Sequence, residues 1–143
     1  MAENTNDASL EGSIGRKIDK VEFLELTRAY RDQRLNLISR YGNNTNDSRS
    51  CLYSRDILES ILGSGCSGVR AYYGVRTEPT DSQQYTTLVL VGIKKNASTG
   101  IEEVVKIFNG LEEEEVLYEW GSLCPPDDGC SSNPLLIEID SDL

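Results

Sequence analysis

The run TLVLVGI, residues 87–93, constrains this chain more than any other stretch. It is far shorter than the roughly 20 apolar residues a membrane-spanning helix needs. Its β-branched and leucine content leaves no polar face to give to water. The wider segment YTTLVLVGIKK, residues 85–95, is therefore predicted as a strand buried on both faces. Such a strand needs neighbours. VRAYYGV, residues 69–75, is β-rich around Gly74, and the turn-rich TEPTDSQQ joins the two segments, so the simplest pairing is an antiparallel hairpin. NASTG, residues 96–100, turns the chain again.

Upstream the period changes to that of a helix. Asp19 can cap a first helix, with Glu22 three residues on as in a capping box. Phe23, Leu26, Tyr30, Leu37 and Tyr41 recur near one face, and Gly42 is a natural stop. Arg28, Arg31 and Arg34 read as a solvated face paired with Glu25 and Asp32. GNNTNDSRS, residues 42–50, is a loop; its two sequon-like triplets read as turn chemistry. The same holds for the triplet that opens at Asn96. SRDILESILGSG predicts a second helix capped by Ser54, with Ile57, Leu58, Ile61 and Leu62 buried and Gly63 or Gly65 ending it.

Downstream the signals weaken. Residues 101–110, IEEVVKIFNG, fit a third strand or one helical face. The run Glu112, Glu113, Glu114, Glu115 reads as a solvated helix start or edge. Consecutive carboxylates on a helix point around its axis and do not converge on one ion. LYEW offers a further strand. In PLLIEIDSDL, Leu135, Ile137 and Ile139 alternate with Leu136, Glu138 and Asp140, the period of a strand with one apolar face. That segment is expected to add to a sheet edge, and Leu135, Leu136, Ile137 and Ile139 are its candidate interface residues.

The fold class that follows is α+β: two N-terminal helices packed on a mainly antiparallel sheet of three to five strands. Residues 1–17 are expected to be a polar tail and residues 18–143 a single domain. A chain of this length buries roughly 65–70% of its unfolded surface, so it need not rely on disulfides.

Charge and composition exclude several functions. The net charge is −10, of which −9 falls in residues 61–143. An acidic half repels phosphate backbones, so nucleic acid is not an expected partner. The chain has no histidine. Ser-His-Asp and Cys-His catalysis within one chain are thereby ruled out, as are Cys₂His₂ zinc sites. The N-terminal MAENTNDASLEGSIG has neither the basic start nor the apolar stretch of a secretory signal. The expected location is cytoplasmic, or reached by a signal-less route or after processing.

Four cysteines remain: Cys51, Cys66, Cys124 and Cys130, separated by 14, 57 and 5 residues. None of these gaps is a zinc knuckle. In LCPPDDGC the prolines stiffen the backbone and Asp127-Asp128-Gly129 supplies a turn, so Cys124 and Cys130 are the candidate disulfide. Cys66 with Cys124 and Cys51 with Cys66 are the other pairings open to the sequence. Cys66 lies past a helix C-terminus, whose partial negative charge disfavours a thiolate, and no histidine is present to serve it as base. GSGCSG lacks the lysine of a phosphate loop, and DDG lacks the ligand spacing of an EF-hand.

GCSGVRAYYGV (65–75), TLVLVGI (87–93) and GSLCPPDDGC (121–130), in that order, resemble a group of small uncharacterised bacterial proteins with a GCxGxRxYYG…LVLVGV…CPP pattern. The resemblance covers roughly residues 53–130. It implies an α+β fold and supplies no site residues.

The expected function is non-enzymatic: a structural or interaction protein, with itself or another protein as partner, in the first case self-assembling into an oligomer or filament. No cofactor or metal is expected. An acidic binding module of inhibitor or immunity type, for a basic protein partner, is the alternative. A carboxylate-dependent enzyme using Glu78, Asp81 or Glu119 is the third reading.

Overall fold

The computed structural model describes residues 14–42 and 44–141. The tail expected over 1–17 thus lies, for residues 1–13, outside the described residues. In chain order the elements are α1 (Lys20–Tyr30), a π-helical segment (Arg31–Leu35), α2 (Asn36–Tyr41), β1 (Ser50–Leu52), α3 (Arg55–Leu62) and β2 (Gly68–Thr77). There follow β3 (Gln84–Lys95), β4 (Glu102–Val104), β5 (Lys106–Asn109), β6 (Glu112–Glu115), β7 (Leu117–Tyr118), β8 (Ser122–Cys124), a 3₁₀ turn (Gly129–Ser132) and α4 (Pro134–Asp140).

The chain is α+β with antiparallel sheets, in a different arrangement from the expected one. The helices are not gathered at the N-terminus: α3 follows the first strand and α4 lies near the C-terminus. The described strands form three sheets. One runs β2-β3-β4, with β7 also on β3; the other two are the pairs β1-β8 and β5-β6.

Two compact units are present, and β2 and β3 contribute to both. The first comprises Tyr53–Tyr73 and Leu88–Trp120. Its core is Ile61 of α3 with Leu90, Val105 and Val116, flanked by Tyr53, Ile57, Cys66 and Tyr118. Ser54 caps α3 by accepting from the Ile57 amide at 3.4 Å. Ile61 is fully buried, worth about 1.5–3 kcal/mol for a side chain of its size. Leu58 and Leu62, expected in the same face, are exposed. The apolar stripe of α3 is narrower than its sequence suggested. Leu90, Val91, Gly92 and Ile93 are all buried, so β3 is covered on both faces here, as its unbroken apolar run required.

The second unit contains Lys17–Leu52, Gly74–Thr87 and residues 121–141. Asp19 caps α1, its Oδ1 accepting from the Glu22 amide at 2.9 Å. Gly42 ends α2, and a Cβ there would lie 2.6 Å from the Ile38 carbonyl oxygen. The π segment, with its wider i→i+5 turn, rotates the faces between these ends. Of the expected face Phe23 and Tyr30 are partly covered, while Leu26, Leu37 and Tyr41 are exposed; Leu24, Thr27, Arg28, Arg31, Leu35 and Ile38 are partly covered as well.

In the loop before β1 the Asn46 amide donates to Asn44 Oδ1 at 2.8 Å, a local turn bond, and the loop also reaches across to β3. Asn44, Asp47 and Ser48 are buried and hold the start of β3. The Asn44 amide donates to the Gln84 carbonyl at 2.9 Å, the Thr86 amide donates to Asp47 at 2.7 Å, and Ser48 donates to the Thr86 carbonyl.

Residues 134–140 are a correction. They form helix α4 rather than an edge strand. Asn133 caps it, its Oδ1 accepting from the Leu135 amide at 2.9 Å, and Pro134 occupies the first helical position, where its missing N–H costs nothing. The other end is satisfied from α1 and the start of the π-helical segment. Arg28 donates to the Glu138 carbonyl at 2.6 Å, and Arg31 donates to the Ile139 carbonyl. Lys20 pairs with Glu138 at 3.0 Å and Arg49 with Asp140 at 2.7 Å. Arginines read as a solvated face therefore include two that cap a neighbouring helix.

Candidate interaction surface

The feature that most needs explaining is the β5-β6 hairpin, and its position follows from one glycine. β4 pairs antiparallel with β3 through Ile93↔Val104, Lys94↔Glu103 and Lys95↔Glu102. β7 pairs with β3 through Leu90↔Tyr118 and Val91↔Leu117. Gly92, between these two stretches, serves both. It accepts from the Val105 amide at 2.8 Å and donates to the Val116 carbonyl at 3.0 Å, while the Val116 amide donates to the Val105 carbonyl at 2.8 Å. β4 and β7 thus share one edge of β3, and the chain between Val105 and Val116 leaves the sheet and returns. Both valines are 2% exposed. A Cβ on Gly92 would meet Val116 at 3.1 and 3.3 Å, so the close approach of the strands depends on glycine here.

The excursion is a two-stranded hairpin with pairs Lys106↔Glu115, Ile107↔Glu114, Phe108↔Glu113 and Asn109↔Glu112. Gly110 sits at φ +70°, at the first central position of the two-residue loop, as a II′ turn requires. Residues 106–115 are exposed throughout. Phe108 is 74% and Leu111 99% exposed. Alternation puts Lys106, Phe108, Glu113 and Glu115 on one face, and Ile107, Asn109, Glu112 and Glu114 on the other. The acidic run is thus an exposed strand.

Cys124 and Cys130 are joined as a disulfide, with Cα atoms 6.1 Å apart. Cys51 lies opposite Leu123 and Ser50 opposite Cys124, so strand alternation puts the Cys51 side chain on the other face of the β1-β8 ribbon from Cys124. Cys51 and Cys66 are free thiols, and Cys66 Sγ donates to the Ile61 carbonyl at 3.3 Å. Leu135, Leu136, Ile137 and Ile139 do not share a strand face. On α4, Leu135 and Ile137 are exposed and Leu136 and Ile139 are partly covered.

Of the carboxylates considered for catalysis, Glu78 and Asp81 are each held by a named neighbour, and Glu119 lies between β7 and β8. Glu78 pairs with the buried Arg76, whose guanidinium also donates to the Gly121 carbonyl at 3.0 Å. Asp81 accepts from the Tyr85 hydroxyl at 2.6 Å. That hydrogen bond holds the Asp81 carboxyl below its ordinary range, and the same bond, with burial, pushes the Tyr85 hydroxyl up. On the sheet, Arg70 forms a two-pronged pair with Glu102, which lowers the carboxyl and raises the guanidinium. Among the described residues no group of three or more His, Cys, Asp or Glu side chains is placed to hold a metal ion, and no helix is long and apolar enough to cross a membrane.

Sequence reasoning missed the hairpin as an element. Gly110-Leu111 between two short runs, a glycine at the first position of a two-residue loop, was the signal available for it. No protein-family model matches the chain, and neither curated proteins nor solved structures give a match.

Proposed function

We propose that the chain is a non-enzymatic interaction protein whose contact element is the β5-β6 hairpin. The observation that carries this reading is the exposure of Phe108 and Leu111 on an element with no buried residue, mounted on a junction that is almost wholly buried. A phenylalanine or leucine gains about 1.5–3 kcal/mol when removed from water, and neither does so here. The fold does not need these side chains, and a binding partner would use them. A rigid base under an exposed tip also limits the ordering cost of association.

A photo-crosslinking residue placed at Leu111 tests this in cells that make the protein, with the same residue at Glu59 of α3 as control. A discrete adduct from position 111, absent from position 59 and lost on Phe108→Ser, is expected. Equal labelling from both positions would remove the hairpin from this role.

A further inference from the structure

The hairpin has a second open feature besides its tip. Among the described residues β6 pairs with β5 alone, so its other edge carries backbone groups with no described strand beside them. Along that edge stand Glu112, Glu113, Glu114 and Glu115, two on each face and about 7 Å apart on a face. Among the described residues none of the four is in a salt bridge, although Lys106 sits across from Glu115. The Asn109 side chain donates to Glu114 at 3.1 Å.

Resting on the hairpin as contact element, we propose that its occupant is an extended basic segment of another protein, which adds as a third strand along the open edge of β6. Charge selects this occupant. A second copy of the chain would set eight carboxylates against one another, and a nucleic-acid backbone would be repelled likewise. Strand addition supplies main-chain hydrogen bonds, with side chains alternating between the two faces. Both faces of β6 are acidic, so the matching strand carries consecutive lysines or arginines rather than every second one. Apolar residues flanking that run would reach Phe108 and Leu111.

The probe is an acetylated, amidated hexalysine peptide, titrated into the isotopically labelled chain at ~50 mM salt, where exposed charges are weakly screened. Two readouts apply: dissociation constant, and hydrogen-exchange protection of the amides of residues 112–115. Binding with protection at β6 is expected. In the E112Q/E113Q/E114Q/E115Q variant, with unchanged amide signals for Leu90 and Val116 as the check on folding, the dissociation constant should rise roughly tenfold or more. Hexalysine N-methylated at every residue keeps its charge and has no main-chain donor on either edge, so it should lose both affinity and protection. Equal binding of that peptide, or binding untouched in the four-glutamine variant, overturns the proposal. Crosslinks from position 111 together with no hexalysine binding would keep the hairpin as contact element and refute the basic strand. Absence of both refutes both.

Discussion

Gly92 is hydrogen-bonded to two strands at once, and the neighbour a side chain would strike cannot easily move. Val116 is 2% exposed, packed in the core, and held through both its amide and its carbonyl. Gly92→Ala, with its Cβ 3.1 Å from Val116, should therefore destabilise the protein by about 1–3 kcal/mol, read as a lower urea midpoint at constant slope. A second residue-scale expectation concerns Tyr85, which is 6% exposed and donates to Asp81. The Tyr85 hydroxyl is raised in the folded state, so its contribution is present below the unfolded value of about 10 and is lost as pH climbs through the raised one. The Asp81 carboxyl is lowered, so its contribution is present above the unfolded value and disappears as pH falls through the depressed one. Melting temperatures should therefore fall above about pH 10 more steeply in the native chain than in Tyr85→Phe. Parallel curves for the two would show that the hydrogen bond does not couple titration to folding.

At the scale of elements, what could be read from the sequence depended on whether one period dominated. β3 was legible because four consecutive buried residues leave no other reading of LVLVGI. α1 and α3 were legible because Asp19 and Ser54 are strong caps. α4 was not: over five residues LLIEI fits a period of two as well as 3.6, and the deciding signal was the preceding Asn-Pro rather than the hydrophobic pattern. That cap is testable. Asn133→Ala should cost about 1 kcal/mol in urea unfolding, and Asn133→Asp much less. A null effect would show that the arginine contacts alone hold the helix. The roles of Arg28 and Arg31 were not legible at all, because the carbonyls they serve lie more than a hundred residues away. The hairpin stayed ambiguous because glutamates are poor strand formers and its residues have no buried face to set a period. The same exposure predicts that Phe108→Ser and Leu111→Ser change stability by no more than about 0.5 kcal/mol. A larger loss would mean that the hairpin serves the fold, and would weaken its assignment as a contact element.

For the molecule as a whole, under the proposed reading as an interaction protein, the distribution of charge bears on the kind of partner. Residues 61–143 carry −9 of the net −10, and the most exposed element there is also the most acidic. Self-association through such a surface works against its own repulsion, which is strongest where screening is weakest. The terminal segment that would have offered a strand for assembly is instead a helix capped at both ends. Both observations favour a different protein as partner over a second copy. Sedimentation equilibrium in non-reducing buffer at ~20 mM salt, where the Debye length exceeds 20 Å, should therefore return the monomer mass of 15.9 kDa at every concentration. Association that emerges only as salt is raised would reveal a self-contact held off by this repulsion, with the acidic hairpin the first place to look. A mass that grows with concentration already at low salt would instead require a surface whose attraction outweighs the repulsion between two copies of net charge −10, and would make self-assembly the function to pursue.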